Sequence, residues 1–176
     1  MASVPSASAC VIPTLFCGGN ADEMVAFYTR IFPDSTIIST TTYPSDAKPE
    51  HGGFRAGETL SVVFSLLGGA MRMNAINGPA SMFPFTEAVS FAVLTDSQAE
   101  TDYYWEQLTS GGANPEKQHC CWCQDRFGLW WQVVPKEYIA VVEGADRAKA
   151  AKAMQVAMGW KKADLELLKR ELSALE

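Results

Sequence analysis

Two stretches of the chain share one pattern of polar and apolar positions. In each, a small polar residue is followed three positions later by a glutamate, and apolar residues then recur at helical spacing. The first stretch begins at Asn20 and the second at Ser97. Because a capping residue precedes an apolar stripe in both, each predicts an amphipathic helix. The chain resembles one structural unit used twice, and such a duplication is expected to enclose a cavity.

Short apolar runs around the two helices predict strands in the same order in both halves. In the first half, the helix begins after Asn20 and is stopped by Pro33, and the strands are expected at 11–17, 35–42, 60–67 and 71–76. In the second half, the helix is expected at 97–109 and the strands at 88–94, 116–121, 122–125 and 129–134. The pattern therefore predicts an α+β fold made of two βαβββ units in tandem.

The same pattern predicts how the chain is divided. Residues 1–10 are expected to be a flexible leader, 11–135 a domain with halves 11–78 and 86–135, and 136–176 a C-terminal helical extension. The first strands of the two halves lie further apart in the sequence than the last strands do, so the first half carries an insertion. We place it in the Pro- and Gly-rich segment 43–59, which is either a lid or a disordered loop.

The helical extension carries leucines at steps of three and four. They follow a capping residue, Asp164, and form one stripe: Leu165, Leu168, Leu172 and Leu175. Such a stripe is typical of a helix that packs on its own domain or on a sister subunit rather than on a ligand.

Composition and charge exclude several kinds of partner. Fourteen Lys plus Arg against twenty Asp plus Glu give a formal charge of −6, so nucleic acid and anionic membranes are not expected to bind. No segment has the length and hydrophobicity of a membrane span or a signal peptide. The five cysteines are an odd number, which suits reduced thiols. We therefore expect a cytoplasmic protein.

Several longer motifs are typical of one known family. They lie at 16–21, 27–35, 75–79, 85–91 and 122–135, and the tail from Met154 to Arg170 also fits. With these motifs the chain resembles the vicinal oxygen chelate superfamily (glyoxalase I, bleomycin-resistance proteins, extradiol dioxygenases), and within it the PhnB-like group, often labelled demethylubiquinone methyltransferase-like. The resemblance implies a curved mixed sheet around a cavity, a small-molecule ligand and a homodimer.

The resemblance also implies where a divalent metal would bind, on the first and last strand of each half. Those positions fall near Pro13 or Thr14, near Met73, near Ala88 or Ser90, and at Gln132. Only Gln132 is a known ligand type at its place, and an amide is a weak metal ligand without carboxylates or imidazoles beside it. We therefore expect no metal and no other cofactor. No glycine-rich loop of the Rossmann type supports methyl transfer from S-adenosylmethionine.

Alternation along the strands suggests a pocket. In 129–134, it places Trp130, Gln132 and Val134 on one face and Leu129, Trp131 and Val133 on the other. The fold and this alternation together suggest a pocket lined by Thr14, Met73, Asn77, Ser90, Trp130 and Gln132. Aromatic residues Phe16 and Trp122 would add a wall. The alternative is a filled core in which Gln132 is satisfied by backbone groups.

Two further motifs have competing explanations. In a strand, His119, Cys121 and Cys123 would face one way and could converge on zinc or copper, or they could form core packing or a reactive thiol. The segment 125–128 is most simply a turn with a solvated Asp125–Arg126 ion pair, or else it places a charge at the mouth of the pocket.

Two hypotheses for the function follow. The first is a metal-independent enzyme that acts on a small, largely apolar organic molecule by proton transfer, as an isomerase, a cyclase or a lyase does, with secondary metabolism as one setting. Its catalytic residues would be Gln132, His119 and Glu58, the last of which lies in the insertion. The second is a non-catalytic small-molecule binding or resistance protein of the same fold.

Overall fold

A computed structural model describes residues 10–46, 54–79, 84–112 and 114–175 of the chain. The chain divides into two compact units, with the boundary between Phe83 and Pro84. Each unit combines helices with a mixed sheet, so the predicted α+β class is confirmed.

The described residues of the first unit form one α-helix and four strands. Their bounds are β1 Thr14–Cys17, α1 Ala21–Ile31, β2 Thr36–Thr42, β3 Thr59–Leu66 and β4 Met71–Asn77. The strand order in the sheet is β1-β4-β3-β2. The β1–β4 pair is parallel, and the other two pairs are antiparallel. This is the βαβββ arrangement that the apolar runs predict.

The second unit repeats the strand–helix start and ends in helices. Its first elements are β5 Phe91–Thr95, α2 Gln98–Thr109, β6 Trp122–Gln124 and β7 Trp130–Pro135. The order is β5-β7-β6, with β5 and β7 parallel and β6 and β7 antiparallel. Three helices follow, α3 Lys136–Glu143, α4 Arg147–Met158 and α5 Leu165–Ser173.

The predicted strand at 116–121 is wrong. Residues Pro115–Lys117 form a short 3-10 turn, and Cys120 and Cys121 both have left-handed backbone angles, with φ of 49° and 69°. Two successive left-handed residues cannot continue a strand. Their backbone N–H groups instead donate to the carbonyls of Trp160 and Lys161 at 2.7 and 3.0 Å. The helical extension thus holds this turn in place.

The two helix starts are capped differently. Ser97 Oγ accepts from the N–H of Glu100 at 3.2 Å, as the pattern predicts. Asn20, by contrast, makes no side-chain cap bond among the described residues, so its predicted role is wrong. Asn77 Oδ1 takes that role, because it accepts from the N–H of Ala21 at 3.0 Å. The cap of α1 therefore comes from the far end of β4.

Helix α1 covers one face of the first sheet. Tyr28 stacks on Phe64 with ring centroids 6.5 Å apart, and Met24 contacts Cys17 through sulfur at 3.7 Å. Buried side chains of β1, β3 and β4 share this face: Leu15, Cys17, Val62, Phe64, Leu66, Met73, Ala75 and Asn77. The opposite face, which we call the first open face, consists of the alternate residues of the same strands.

Helix α2 covers one face of the second sheet in the same way. The hydroxyl groups of Thr95 and Thr101 lie 2.6 Å apart, and both residues are fully buried. The buried residues on this face are Val93, Thr95, Cys123, Trp131 and Val133. Trp130, Gln132 and Val134 lie on the opposite face, so the predicted alternation in β7 is confirmed. We call this the second open face because α2 lies on the other side of the sheet; at its end, Val134 packs against the helical extension.

The leucine stripe of α5 packs within its own unit. Leu165 and Leu168 are buried in one cluster with Ala153, Ala157 and Trp160. Asp164 caps α5 as predicted, with Oδ1 accepting from the N–H of Leu167 at 2.8 Å. Gln98 of α2 binds the extension twice, donating to the carbonyl of Ala163 and accepting from the N–H of Leu165. The extension is therefore part of the second unit.

Asp125 holds the β6–β7 turn together from inside and is not a solvated charge. It is 1% exposed. Its Oδ1 accepts from the N–H groups of Phe127 and Leu129 at 2.9 and 3.0 Å, and its Oδ2 accepts from Trp131 Nε1 at 2.8 Å. The predicted exposed position of this carboxylate is wrong because the turn needs a buried acceptor for three donors.

We expect Asp125→Ala to lower the free energy of unfolding by about 2–4 kcal/mol, because it removes the acceptor of three N–H donors. Urea unfolding followed by tryptophan fluorescence measures this. The matched control is Asp96→Ala, which removes an exposed ion pair with Lys136 and should change stability by less than about 1 kcal/mol. Equal effects of the two substitutions would contradict the structural role of Asp125.

Candidate functional site

The second open face centres on Gln132. In the sheet register, Gln132 lies between Ala92 of β5 and Trp122 of β6. Its Nε2 donates to Ser90 Oγ at 2.8 Å, which fixes the orientation of the amide and leaves Oε1 as an acceptor. Gln132, Ser90 and Trp122 are half-buried and Ala92 is exposed. The face therefore combines small, aromatic and amide groups that a small molecule can contact.

Aromatic rings form one side of this face. The Trp122 ring lies 6.1 Å from Trp130 and 6.1 Å from His119, measured between ring centroids. Trp130 is 1% exposed, and its indole N–H has no hydrogen-bond partner among the described residues. Trp122 is thus the accessible ring, and Trp130 lies behind it with an unused donor.

Lys117 lies at the edge of the aromatic wall, beside Trp130. Its Nζ lies 5.6 Å from the centroid of the Trp130 ring and forms an ion pair with Glu87. Hydrogen bonding to Lys117 holds the pKa of the Glu87 carboxyl below its ordinary value. Because both side chains are about half exposed, the pair is screened by water and contributes little to stability. Its effect is to keep the ammonium group over the ring.

His119 lies beside Trp122 at the exposed rim. Its Nδ1 is 2.9 Å from the carbonyl oxygen of Lys117. A carbonyl can only accept, so Nδ1 carries the hydrogen in the neutral ring and Nε2 is the basic nitrogen. The predicted residues Gln132, Ser90, Trp122, Trp130 and His119 therefore occur together in one unit.

The first unit separates the remaining predicted residues onto opposite faces. Thr14 and Phe16 lie on the first open face, whereas Met73 and Asn77 lie on the face that α1 covers. Met73 is fully buried opposite Phe64. The predicted lining that combined Thr14 with Met73 and Asn77 therefore needs correction, since alternate positions of one strand face opposite ways.

Asn77 uses its side chain within the fold. Besides capping α1, it donates from Nδ2 to the carbonyl of Thr59 at 2.9 Å, and its own carbonyl accepts from Tyr43 Oη at 2.9 Å. Glu58 is exposed and its Oε2 accepts from the N–H of Arg55 at 2.8 Å. Residues 47–53 of the predicted insertion lie outside the described residues, so whether 43–59 is a lid stays a prediction.

A one-residue difference between the units identifies a residue that the sequence pattern missed. Three residues join β1 to α1, whereas two join β5 to α2. Alignment of the units on their helices matches Thr14 to Phe91, whereas alignment on the ends of β1 and β5 matches Thr14 to Ala92. Thr14 is paired with Asn74, as Ala92 is with Gln132. Asn74 and Gln132 are equivalent, and the glycine-lengthened turn is the signal that could have shown it.

The side chains at the positions where the superfamily holds a metal do not suit one. The open faces present Thr14, Asn74, Ser90 and Gln132 there, which are hydroxyl and amide groups without a carboxylate or an imidazole. Within the described ranges, no three His, Cys, Asp or Glu side chains form a group that could hold a metal. The side chains at these positions are therefore not of the carboxylate or imidazole type that holds a divalent metal in this fold.

The cysteines near His119 do not converge. Cys121 is buried in the cluster of the helical extension, whereas Cys123 is buried under α2 and His119 is exposed. The prediction that all three face one way is wrong, because the left-handed turn breaks the alternation. Burial raises the pKa of the Cys121 and Cys123 thiols to about 12, so neither supplies a thiolate near neutral pH.

The chain is similar to proteins of a known family. A family model described as 3-demethylubiquinone-9 3-methyltransferase matches residues 9–134. No curated protein matches the chain. None of the described helices is both long and apolar enough to cross a membrane.

Three solved structures share the fold. The PhnB protein of Bacillus cereus is 24% identical with a TM-score of 0.56, and the match covers 71% of this chain and 98% of that one. Protein PA1353 of Pseudomonas aeruginosa is 20% identical with a TM-score of 0.52, covering 73% and 98%. The fosfomycin resistance protein FosX of Listeria monocytogenes is 14% identical with a TM-score of 0.50, covering 74% and 93%.

The family match spans most of the chain, from the start of the first unit to the end of β7. The chain therefore belongs to the family described as 3-demethylubiquinone-9 3-methyltransferase, the PhnB-like group of the vicinal oxygen chelate superfamily.

Proposed function

We propose that the protein binds a small, largely apolar organic molecule on the second open face and transfers a proton on it without a metal. The observation that carries this proposal is the grouping of a fixed amide, Gln132, with an accessible ring, Trp122, and a basic nitrogen, His119 Nε2. An aromatic wall with a few oriented polar groups is typical of small-molecule sites.

The polar groups of this face are complementary to a carbonyl or a hydroxyl on the ligand. Ser90 Oγ accepts from Gln132, so its own hydroxyl hydrogen is available to donate. Gln132 Oε1 can accept in return. A ligand that stacks on Trp122 would thus be oriented by one donor and one acceptor.

His119 is the proposed base. Its Nδ1–H bond to the carbonyl of Lys117 fixes the tautomer, and the ring lies within contact of the aromatic wall. General base catalysis of this kind supports isomerase, cyclase or lyase chemistry at a carbon next to a carbonyl. Glu58, which is also proposed as catalytic, lies in the first unit, where its carboxylate accepts from the N–H of Arg55.

Methyl transfer is not part of the proposal, although the family description names a methyltransferase. The turn into α1 runs Gly18-Gly19-Asn20 and the turn into α2 runs Asp96-Ser97. Neither carries the glycine fingerprint that a Rossmann-type cofactor site needs. A non-catalytic binding or resistance role is the second candidate, favoured by the half-buried Trp122 ring and the Gln132–Ser90 pair, which can hold a ligand without acting as acid or base.

Two probes test binding and catalysis separately. For binding, we expect N-phenyl-1-naphthylamine to fluoresce with the protein, and Trp122→Ala to raise its Kd about tenfold, which corresponds to the loss of one aromatic contact. Tyr103→Ala, which removes an exposed ring of α2, is the matched control and should leave Kd within twofold. Equal Kd values for all three proteins would contradict the site.

For catalysis, we expect the protein to accelerate deuterium incorporation next to the carbonyl of 1-indanone in D2O, measured by NMR. His119→Asn keeps a donor at the place of Nδ1 but has no basic nitrogen, so the rate should fall about 100-fold or more while Kd stays within twofold. If 1-indanone binds at Trp122 but exchanges no faster than in buffer, the binding role is favoured over the enzymatic one for this ligand.

We further propose a cytoplasmic homodimer. Buried, reduced thiols at Cys17, Cys121 and Cys123 suit a reducing compartment. The described extension exposes Met154 and Met158, the latter to 78%, and exposed apolar side chains of this kind suit a subunit interface. Sedimentation equilibrium is expected to show twice the chain mass of 19.2 kDa. A single species of the chain mass at micromolar concentration would sink the dimer.

A further inference from the structure

A groove lies between the last two helices of the second unit. Its volume is about 250 Å³, and it is lined by three residues of α4 and two of α5: Lys152, Gln155, Val156, Leu167 and Glu171. The family match ends at residue 134, before either helix begins. The groove therefore belongs to the helical extension and not to the sheet faces on which the proton-transfer site is proposed.

Helical spacing gives this groove two different ends. Lys152 and Val156 are one turn apart on α4, and Leu167 and Glu171 are one turn apart on α5. Lys152 is bound to Glu171, so this ion pair forms one end of the groove. Val156 and Leu167, each one turn nearer the loop that joins the helices, form the other end.

The charged end presents a cation and an anion in direct contact. Lys152 Nζ lies 2.7 Å from Glu171 Oε2, and the two side chains are 29% and 35% exposed. They are less exposed than the surface pair Lys136–Asp96, at 54% and 72%. Hydrogen bonding to Lys152 holds the pKa of the Glu171 carboxyl below its ordinary value. Both charges are therefore present at neutral pH and open to a third group from solvent.

The apolar end is supported from below. Val156 and Leu167 are half-buried and pack against the buried cluster that includes Ala157 and Leu168. Because the cluster anchors these two side chains, their outer surfaces form a fixed apolar floor. The groove thus combines a pair of opposite charges with a patch that fits a small aliphatic group.

We propose that this groove binds a free α-amino acid with a branched apolar side chain. Its carboxylate accepts from Lys152 Nζ, its ammonium group donates to Glu171, and its side chain packs on Val156 and Leu167. In an α-amino acid the two charges are held on one carbon, which matches an ion pair in direct contact. The termini of a peptide are further apart and do not match it. This site does not depend on the proposed proton-transfer site.

Leucine and three smaller relatives test the proposal on the full chain. 4-Methylpentanoate lacks the ammonium group, 3-methylbutylamine lacks the carboxylate, and glycine lacks the side chain. Binding is followed by the methyl resonances of Val156 and Leu167 in ¹³C spectra. We expect leucine to shift these resonances and each relative to bind about tenfold more weakly or worse, because each loses one of the three contacts.

Two substitutions assign the charged contacts. Lys152→Met keeps the apolar stem, and the ratio of the 3-methylbutylamine Kd to the leucine Kd should fall about fivefold or more. Glu171→Gln keeps the shape, and the ratio of the 4-methylpentanoate Kd to the leucine Kd should fall likewise. The matched control is Lys169→Met, which removes an exposed pair with Glu137 in the same extension and should leave both ratios within about twofold. Both ligands of a ratio are measured on one variant, so a loss of stability cancels.

Three results would overturn the proposal. The first is that millimolar leucine leaves the methyl resonances of Val156 and Leu167 unshifted. The second is that the two Kd ratios are the same in the natural chain, in Lys152→Met and in Glu171→Gln. The third is that glycine binds as tightly as leucine, since the apolar end of the groove would then contribute nothing.

Discussion

The parallel pairing of the first and last strand in each unit is the constraint on which the rest of the structure depends. The β1–β4 and β5–β7 pairs fix the register of the central strands, and the helix that follows the first strand covers one face. The alternation of side chains along each strand then decides which face of the sheet each residue occupies. It places Met73, Asn77 and Trp131 under a helix and leaves Asn74 and Gln132 on the open faces.

Much of this could be predicted from local patterns. The helices follow from apolar spacing, and the alternation in 129–134 correctly separates Gln132 from Trp131. In the first half the prediction failed by one position, because Gly18 and Gly19 lengthen the turn from strand to helix and shift the strand relative to the repeat. A repeat aligned on its helices hides such a shift, whereas a register of hydrogen bonds shows it.

The remaining errors have non-local causes. Residues 116–121 contain β-compatible side chains, but the Cys120–Cys121 turn is bound by carbonyls that lie far along the chain, in the helical extension. Asn20 has the right type and spacing for a cap, yet Asn77 supplies it from β4. Asp125 has the composition of a surface turn, but the indole of Trp131 needs its carboxylate inside. In each case a tertiary donor or acceptor decides, and sequence spacing does not carry that information.

The proposed function concerns an open face, and each open face contains a buried polar atom that makes no hydrogen bond to the described residues. Trp130 holds a buried donor and Asn74 a buried acceptor, and neither has a partner within the described part of the chain. The neighbouring groups are apolar rings, amides and hydroxyls, which suit an organic molecule better than a divalent cation.

The central claim is that the face bearing Gln132 is accessible to small molecules and the face bearing Trp131 is not. Cysteine labelling with iodoacetamide tests it most directly, in a chain whose exposed Cys10 and Cys120 are replaced by serine. Ala92→Cys places a thiol next to Gln132, and Val93→Cys places one next to Val133 under α2. The account predicts labelling of Ala92→Cys at least about 100-fold faster than that of Val93→Cys, because burial suppresses thiolate formation and access. Equal rates, or faster labelling of Val93→Cys, would contradict it.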